Sequence, residues 1–172
     1  APTNAELQLR VGEAHLHRGD HNLAVKAMEQ AVRLKPGPDT FARLGDAFSA
    51  LRRWEQAESH YRRSIGMDEN NGRARAGLGN VLLRRGRFEQ ALEYLRLAVV
   101  AEPGWAQPHA DMGLIYMQLG QWDNAAEAYR EASSLDPREP DYLSKLGLIA
   151  FRGGDFERSE EHTSELQSRS VI

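Results

Sequence analysis

The chain has 172 residues, 41% apolar and 27% charged, a globular balance that excludes a disordered or fibrous chain. Its formal charge of -3 gives no global attraction for a polyanion. The absence of Cys excludes disulfides, thiolate nucleophiles and cysteine metal ligands, and no apolar run approaches the roughly 18 residues that read as a membrane span.

Self-similarity governs the rest of the reading. The first repeat, about residues 5–37, carries an apolar residue and Gly at Val11-Gly12, a turn at Gly19, a ring at His21, a small residue at Ala24 and a closing Pro36. The second, about 38–71, repeats the series with Leu44-Gly45, Trp54 and Ala57, but has Arg52 at the turn and Glu69 at the close. The third, about 72–105, has Leu78-Gly79, Gly86, Phe88, Ala91 and Pro103. The fourth, about 106–139, has Met112-Gly113, Gly120, Trp122, Ala125 and Pro137. A fifth starts at 140 with Leu146-Gly147, a turn expected at Gly154 and a ring at Phe156, and is partial, ending near 157. The apolar-Gly pairs are spaced by 33, 34, 34 and 34 residues.

Each column has a physical reason. Apolar residues recur at helical spacing in two runs per repeat, which predicts two amphipathic helices joined by a turn. The turn glycine adopts a left-handed backbone at no steric cost. The helical Gly and Ala columns, where Gly alone costs about 1 kcal/mol, mark places where two helices approach too closely for a larger side chain. The closing Pro stops the second helix, whereas Pro38 and Pro140 suit the first turns of the helices that follow.

These residues resemble tetratricopeptide repeats, whose signature is matched at Leu78, Gly79, Phe88, Ala91 and Pro103, and again at Met112, Gly113, Tyr116, Trp122, Ala125, Tyr129, Ala132 and Pro137. His15, His21 and Arg52 depart from it. The resemblance implies an all-α, right-handed superhelical solenoid of antiparallel helix pairs, with first helices lining a concave groove and second helices behind.

The register fails after Glu157. Small, bulky, small and Pro are expected near 159, 163, 166 and 171, and the chain offers Ser159, Thr163, Leu166 and Val171. Residues 158–168, "RSEEHTSELQS", also resemble, codon for codon, a translated sequencing-library adapter. Residues 158–172 are therefore expected to be a non-native tail, with helix drawn there reporting only propensity. The chain is expected to be a fragment of a longer protein. Only Lys26, Lys35 and Lys145 stand among its 22 cations, an arginine bias that points to a bacterial genome.

Motifs outside the repeat logic are few. In "HLHRGDH", His15 and His17 lie about 200° apart around a helix and cannot chelate one ion from one face. The "RGD" at 18–20 occupies the same turn as "RGRF" and "LGQW" and reads as a repeat turn. No clustered glycine loop precedes a helix, and Trp and Phe fill repeat columns rather than form a stacking platform. Arg52, Arg53, Arg84, Arg85 and Arg87 gather at turns and read as solvated; a basic edge for nucleic acid is the lesser reading. No enzyme activity, cofactor or metal is expected.

The resulting expectation is a protein-interaction scaffold that holds a protein or peptide segment in its concave groove; the alternative is the recruitment repeats of a larger, glycosyltransferase-like enzyme. Family resemblance maps the groove wall to Leu9, Glu13, His17, Arg43, Asp46, Asn80, Arg84, Asp111, Leu114, Met117, Leu148 and Phe151. Chaperone-binding members of the family grip a carboxylate with Lys and Asn in the first repeat; Leu9 and Glu13 stand at those places, so that clamp is not expected. An apolar anchor near Phe151 is expected instead, with basic partner groups toward Glu13 and Asp46.

Overall fold

The computed structural model describes residues 3–169, with side chains described as far as residue 154. Among these residues all regular structure is helical: α1 Asn4–Arg18, α2 His21–Leu34, α3 Pro38–Ala50, α4 Trp54–Met67, α5 Gly72–Arg84, α6 Phe88–Ala101, α7 Ala106–Gln118, α8 Trp122–Leu135 and α9 Pro140–Arg169. The chain divides into two compact units, Ala1–Pro103 with α1–α6 and Gly104–Ile172 with α7–α9. Within them α1 packs on α2, α3 on α4, α5 on α6 and α7 on α8, the helix pairs that the repeat predicts.

The columns set the local geometry. Second helices open on the ring column at His21, Trp54, Phe88 and Trp122, and close two residues before Pro36, Glu69, Pro103 and Pro137. The stop at Glu69 needs no proline: the Asp68 side chain accepts the Asn70 N–H at 3.0 Å, a turn that competes with further helix. Gly19, Gly86 and Gly120 are left-handed, with φ of 80°, 72° and 71°, and Arg52 takes the same role at φ 56°. First helices have caps of their own. Thr3 and Glu6 form a reciprocal capping box on α1, and Asn71 Oδ1 accepts the Ala74 N–H at 2.8 Å on α5.

Ala24, Ala57, Ala91 and Ala125 are fully buried. A Cβ added at Gly12, Gly45, Gly79 or Gly113 would lie 2.6–2.7 Å from a side chain sixteen residues on: Met28, Tyr61, Leu95 and Tyr129. The helical glycines are therefore notches, each filled by a knob from the second helix of the same repeat.

The fifth repeat departs from expectation. No turn forms at Gly154; α9 continues through Gly153 and Gly154 to Arg169. A Cβ at Gly147 meets nothing within 4 Å. Sixteen residues on stands Thr163, in place of a bulky apolar knob, so folding back as a second helix offers little packing, and unbroken backbone hydrogen bonding prevails. The side chains of Phe156 and of the residues expected to be foreign lie outside the described ones.

Candidate functional site

In the first unit the first helices are tied together by ion pairs on the expected groove residues. Glu13 on α1 pairs with Arg43 on α3. Asp46, one turn further along α3, pairs with Arg73 Nη1 on α5 at 2.9 Å and accepts the Tyr61 hydroxyl of α4 at 2.7 Å. Burial pushes the Asp46 carboxyl upward, and Arg73 and the Tyr61 hydrogen bond only partly offset it. The Tyr61 hydroxyl is held well above its ordinary value, first by burial and then by the Asp46 charge.

The remaining expected residues of this unit are placed less closely. Leu9 is half-buried and lines a shallow cleft of about 230 Å³ with Ala5, Glu6, Lys35 and Asp39. His17 and Arg84 are exposed at the ends of α1 and α5, and Asn80 is half-buried. Arg73 was not among the expected groove residues. Its signal is opposite charge to Asp46 on the facing stripe of the next first helix.

In the second unit Asp111 is a correction. Expected on the open stripe, it is only 3% exposed. It accepts Gln107 Nε2 at 3.1 Å, and its charge helps raise the Tyr129 and Tyr142 hydroxyls, after burial and the nearer carboxylates. Leu114 and Met117 are half-buried against a core that includes Tyr129 and Ile149. Leu148 and Phe151 stand out on α9, at 43% and 68% exposure. This apolar quartet shares its surroundings with no described group of three or more His, Asp or Glu able to hold a metal.

The other motifs are absorbed by structure. Asp20 precedes α2 and its carboxylate pairs with the exposed Arg18 at 3.4 Å, with His15 Nδ1 3.6 Å away, so "RGD" stands in the turn between α1 and α2. Of the turn arginines, Arg85 and Arg87 reach Glu58 at 2.7 and 3.3 Å. No described helix is long and apolar enough to cross a membrane.

Models of the tetratricopeptide repeat match residues 5–38, 42–106 and 113–154. The chain is built of tetratricopeptide repeats. In structure the array is similar to "MamA 41-end from Desulfovibrio magneticus RS-1" at 26% identity, covering 97% of this chain and 95% of that one with a TM-score of 0.72. It also resembles PilF of Pseudomonas aeruginosa, at 20% identity over 92% and 72% of the two chains with a TM-score of 0.80. YrrB, described as a tetratricopeptide protein with an unusual peptide-binding site, matches at 23% identity over 81% and 73% with a TM-score of 0.65. No curated protein matches the chain. Arrays of these repeats are protein-interaction scaffolds, and that general role is the one the repeats and their relatives support here.

Proposed function

We propose that the tetratricopeptide array grips a segment of a partner protein through an apolar anchor in the second unit, between Leu114 and Met117 of α7 and Leu148 and Phe151 of α9. The exposure of Phe151, at 68%, carries this reading: an aromatic ring presented to water beside other apolar side chains costs solubility and is kept where a partner covers it. Met117 adds a flexible, polarizable wall that fits varied side chains. In the first unit Glu13 and Asp46, which the sequence offers to basic partner groups, already hold Arg43 and Arg73. A partner's cation at either place competes with an existing pair, so affinity comes from the apolar end. Binding of the partner segment recovered by the wild type is the test. Phe151→Ala and Leu114→Ser variants that remain folded should each bind about tenfold or more weakly; undiminished affinity in both rules the site out.

A further inference from the structure

The first helices of the first four repeats open on the cap column Thr3, Gly37, Asn71 and Trp105. At α5 the cap is an asparagine, and the residue after it is Gly72. Packing accounts for both. Asn71 is 9% exposed; its Oδ1 accepts the Ala74 N–H at 2.8 Å, and its Nδ2 donates to Asp39 Oδ1 of α3 at 3.4 Å. Gly72 leaves room for the residue that follows α6: a Cβ there would lie 2.6 Å from Glu102 Oε1 and 3.1 Å from Glu102 Cγ. Asn71 thus ties the second repeat to the third, and Gly72 lets the end of the third lie against its own start.

Together these two demands create a chemically labile pair. Of the six asparagines, Asn71 is the one followed by glycine; the other five precede residues with a Cβ. Without a Cβ in the way, the Gly72 nitrogen can approach the Asn71 side-chain amide, and as a first-turn N–H it has no intrahelical acceptor. The fold opposes this approach. The capping bond holds the amide on the Ala74 N–H, and turning it onto the Gly72 nitrogen breaks that bond and the one to Asp39.

We infer that Asn71 is a deamidation site guarded by its own cap: it reacts when the first turn of α5 opens, and the product loosens the second repeat from the third. The Gly72 nitrogen bonds to Asn71 Cγ, the Cγ–Nδ2 bond breaks, and Nδ2 leaves as ammonia with the Gly72 proton. Water then opens the five-membered imide at either carbonyl, giving aspartate or isoaspartate. Aspartate still caps a helix, but here it replaces a donor to Asp39 by a second carboxylate, with Glu102 close by, and like charges at that range repel. Isoaspartate adds a methylene to the main chain at the cap itself. Neither product reverts, so the modification accumulates with the time α5 spends open.

Peptide mapping by mass spectrometry tests it, on the full chain held in mildly alkaline buffer with and without denaturing guanidinium chloride. Asn71 should be the fastest-reacting asparagine of the unfolded chain, and should react about tenfold or more slowly in the folded one, where the rate follows the population of the locally opened state. Equal rates in the two states, or another asparagine that outpaces Asn71 on unfolding, overturn the inference. Asn71→Asp makes one product directly. It should lower the melting midpoint at neutral pH, and lower it less in an Asp39→Asn background, where the facing charge is gone. An Asn71→Asp chain as stable as the wild type, or one equally destabilised in both backgrounds, overturns the loosened contact.

Discussion

The Tyr61 hydroxyl donates to Asp46 Oδ1 at 2.7 Å from a ring that lies against two glycines. A Cβ at Gly45 would fall 2.6 Å from the Tyr61 ring, and one at Gly77, in the next repeat, would overlap it as well. The ring thus locks its own first helix and the following one in place, while its hydroxyl satisfies a carboxylate that also binds Arg73.

The glycine notches should rank by what fills them. Gly45→Ala drives a Cβ into a rigid ring held by a hydrogen bond and should destabilise by about 1–3 kcal/mol. At Gly12 the obstacle is Met28, which can shift, so Gly12→Ala should cost less. Gly147→Ala meets open space and should stabilise by about 0.5–1 kcal/mol through helix propensity. Urea unfolding of the three variants checks the order; a Gly147→Ala as damaging as Gly45→Ala would mean that α9 is covered after all.

Arg52 is the described non-glycine residue with a positive φ, 56°, at the place where three other repeats have glycine. It is exposed, and its conformation costs about 1–2 kcal/mol for a residue with a Cβ. Part of the relief on mutation is lost to the greater freedom of glycine in the unfolded chain. Arg52→Gly should therefore raise stability by about 0.5–1 kcal/mol. A lowered melting midpoint would contradict this.

What was legible in the sequence follows from how each feature is encoded. The notches, the Ala column and the helix ends were readable because a 34-residue period repeats the same packing solution. The turn at Gly154 was misread because a turn glycine permits a fold-back without supplying the second-helix packing that stabilises one. Asp111 shares its column with the half-buried Arg43 and Gly77, and its carboxylate is held by Gln107 four residues before it, a local pairing that the 34-residue period does not mark. The Asp46, Arg73 and Tyr61 network joins residues in different repeats through the reach of particular side chains, and no periodicity marks such pairs.

His60 gives the first unit a pH dependence. Its ring stacks on Phe48 at 5.2 Å and Phe41 at 6.1 Å between centroids, and its Nδ1 is buried with no hydrogen-bond partner among the described residues. Burial lowers its pKa, the Arg63 charge adds to this, and Glu29 opposes it weakly. The unfolded chain then binds the proton more readily. The stability contribution is complete above the ordinary imidazole pKa and is lost as pH falls through it toward the folded value. Asp46, whose carboxyl is raised, pushes the other way over falling pH, so the comparison must be between wild type and His60→Leu at each pH. The wild type should lose stability relative to His60→Leu from about pH 7.5 to 5.5; parallel curves would assign the dependence elsewhere.

Glu58 is the hub of the turn between the third repeat's helices. It receives Arg62 of its own helix at 2.9 Å, Arg85 at 2.7 Å and Arg87 at 3.3 Å. Burial alone would raise its carboxyl, but the Arg62 hydrogen bond and the charges of Arg62, Arg87 and Arg85 outweigh it and hold the group below its ordinary value. A depressed folded pKa places the stabilisation above the unfolded pKa and removes it as pH falls through the folded one. The arginines are a third to a half exposed, so solvent screening limits the loss in Glu58→Gln to about 1 kcal/mol at neutral pH. That loss should shrink at about 1 M salt, where the Debye length is near 3 Å, and at acidic pH, where the wild-type carboxyl is itself protonated. A loss indifferent to both would mean that Glu58 acts by packing. The same change removes a negative charge from among Arg62, Arg85 and Arg87 and leaves Arg85 only its Glu55 pair at 3.4 Å, so Glu58→Gln should be retained more strongly on heparin than the wild type; equal retention would show that these turns stay solvated whatever their charge.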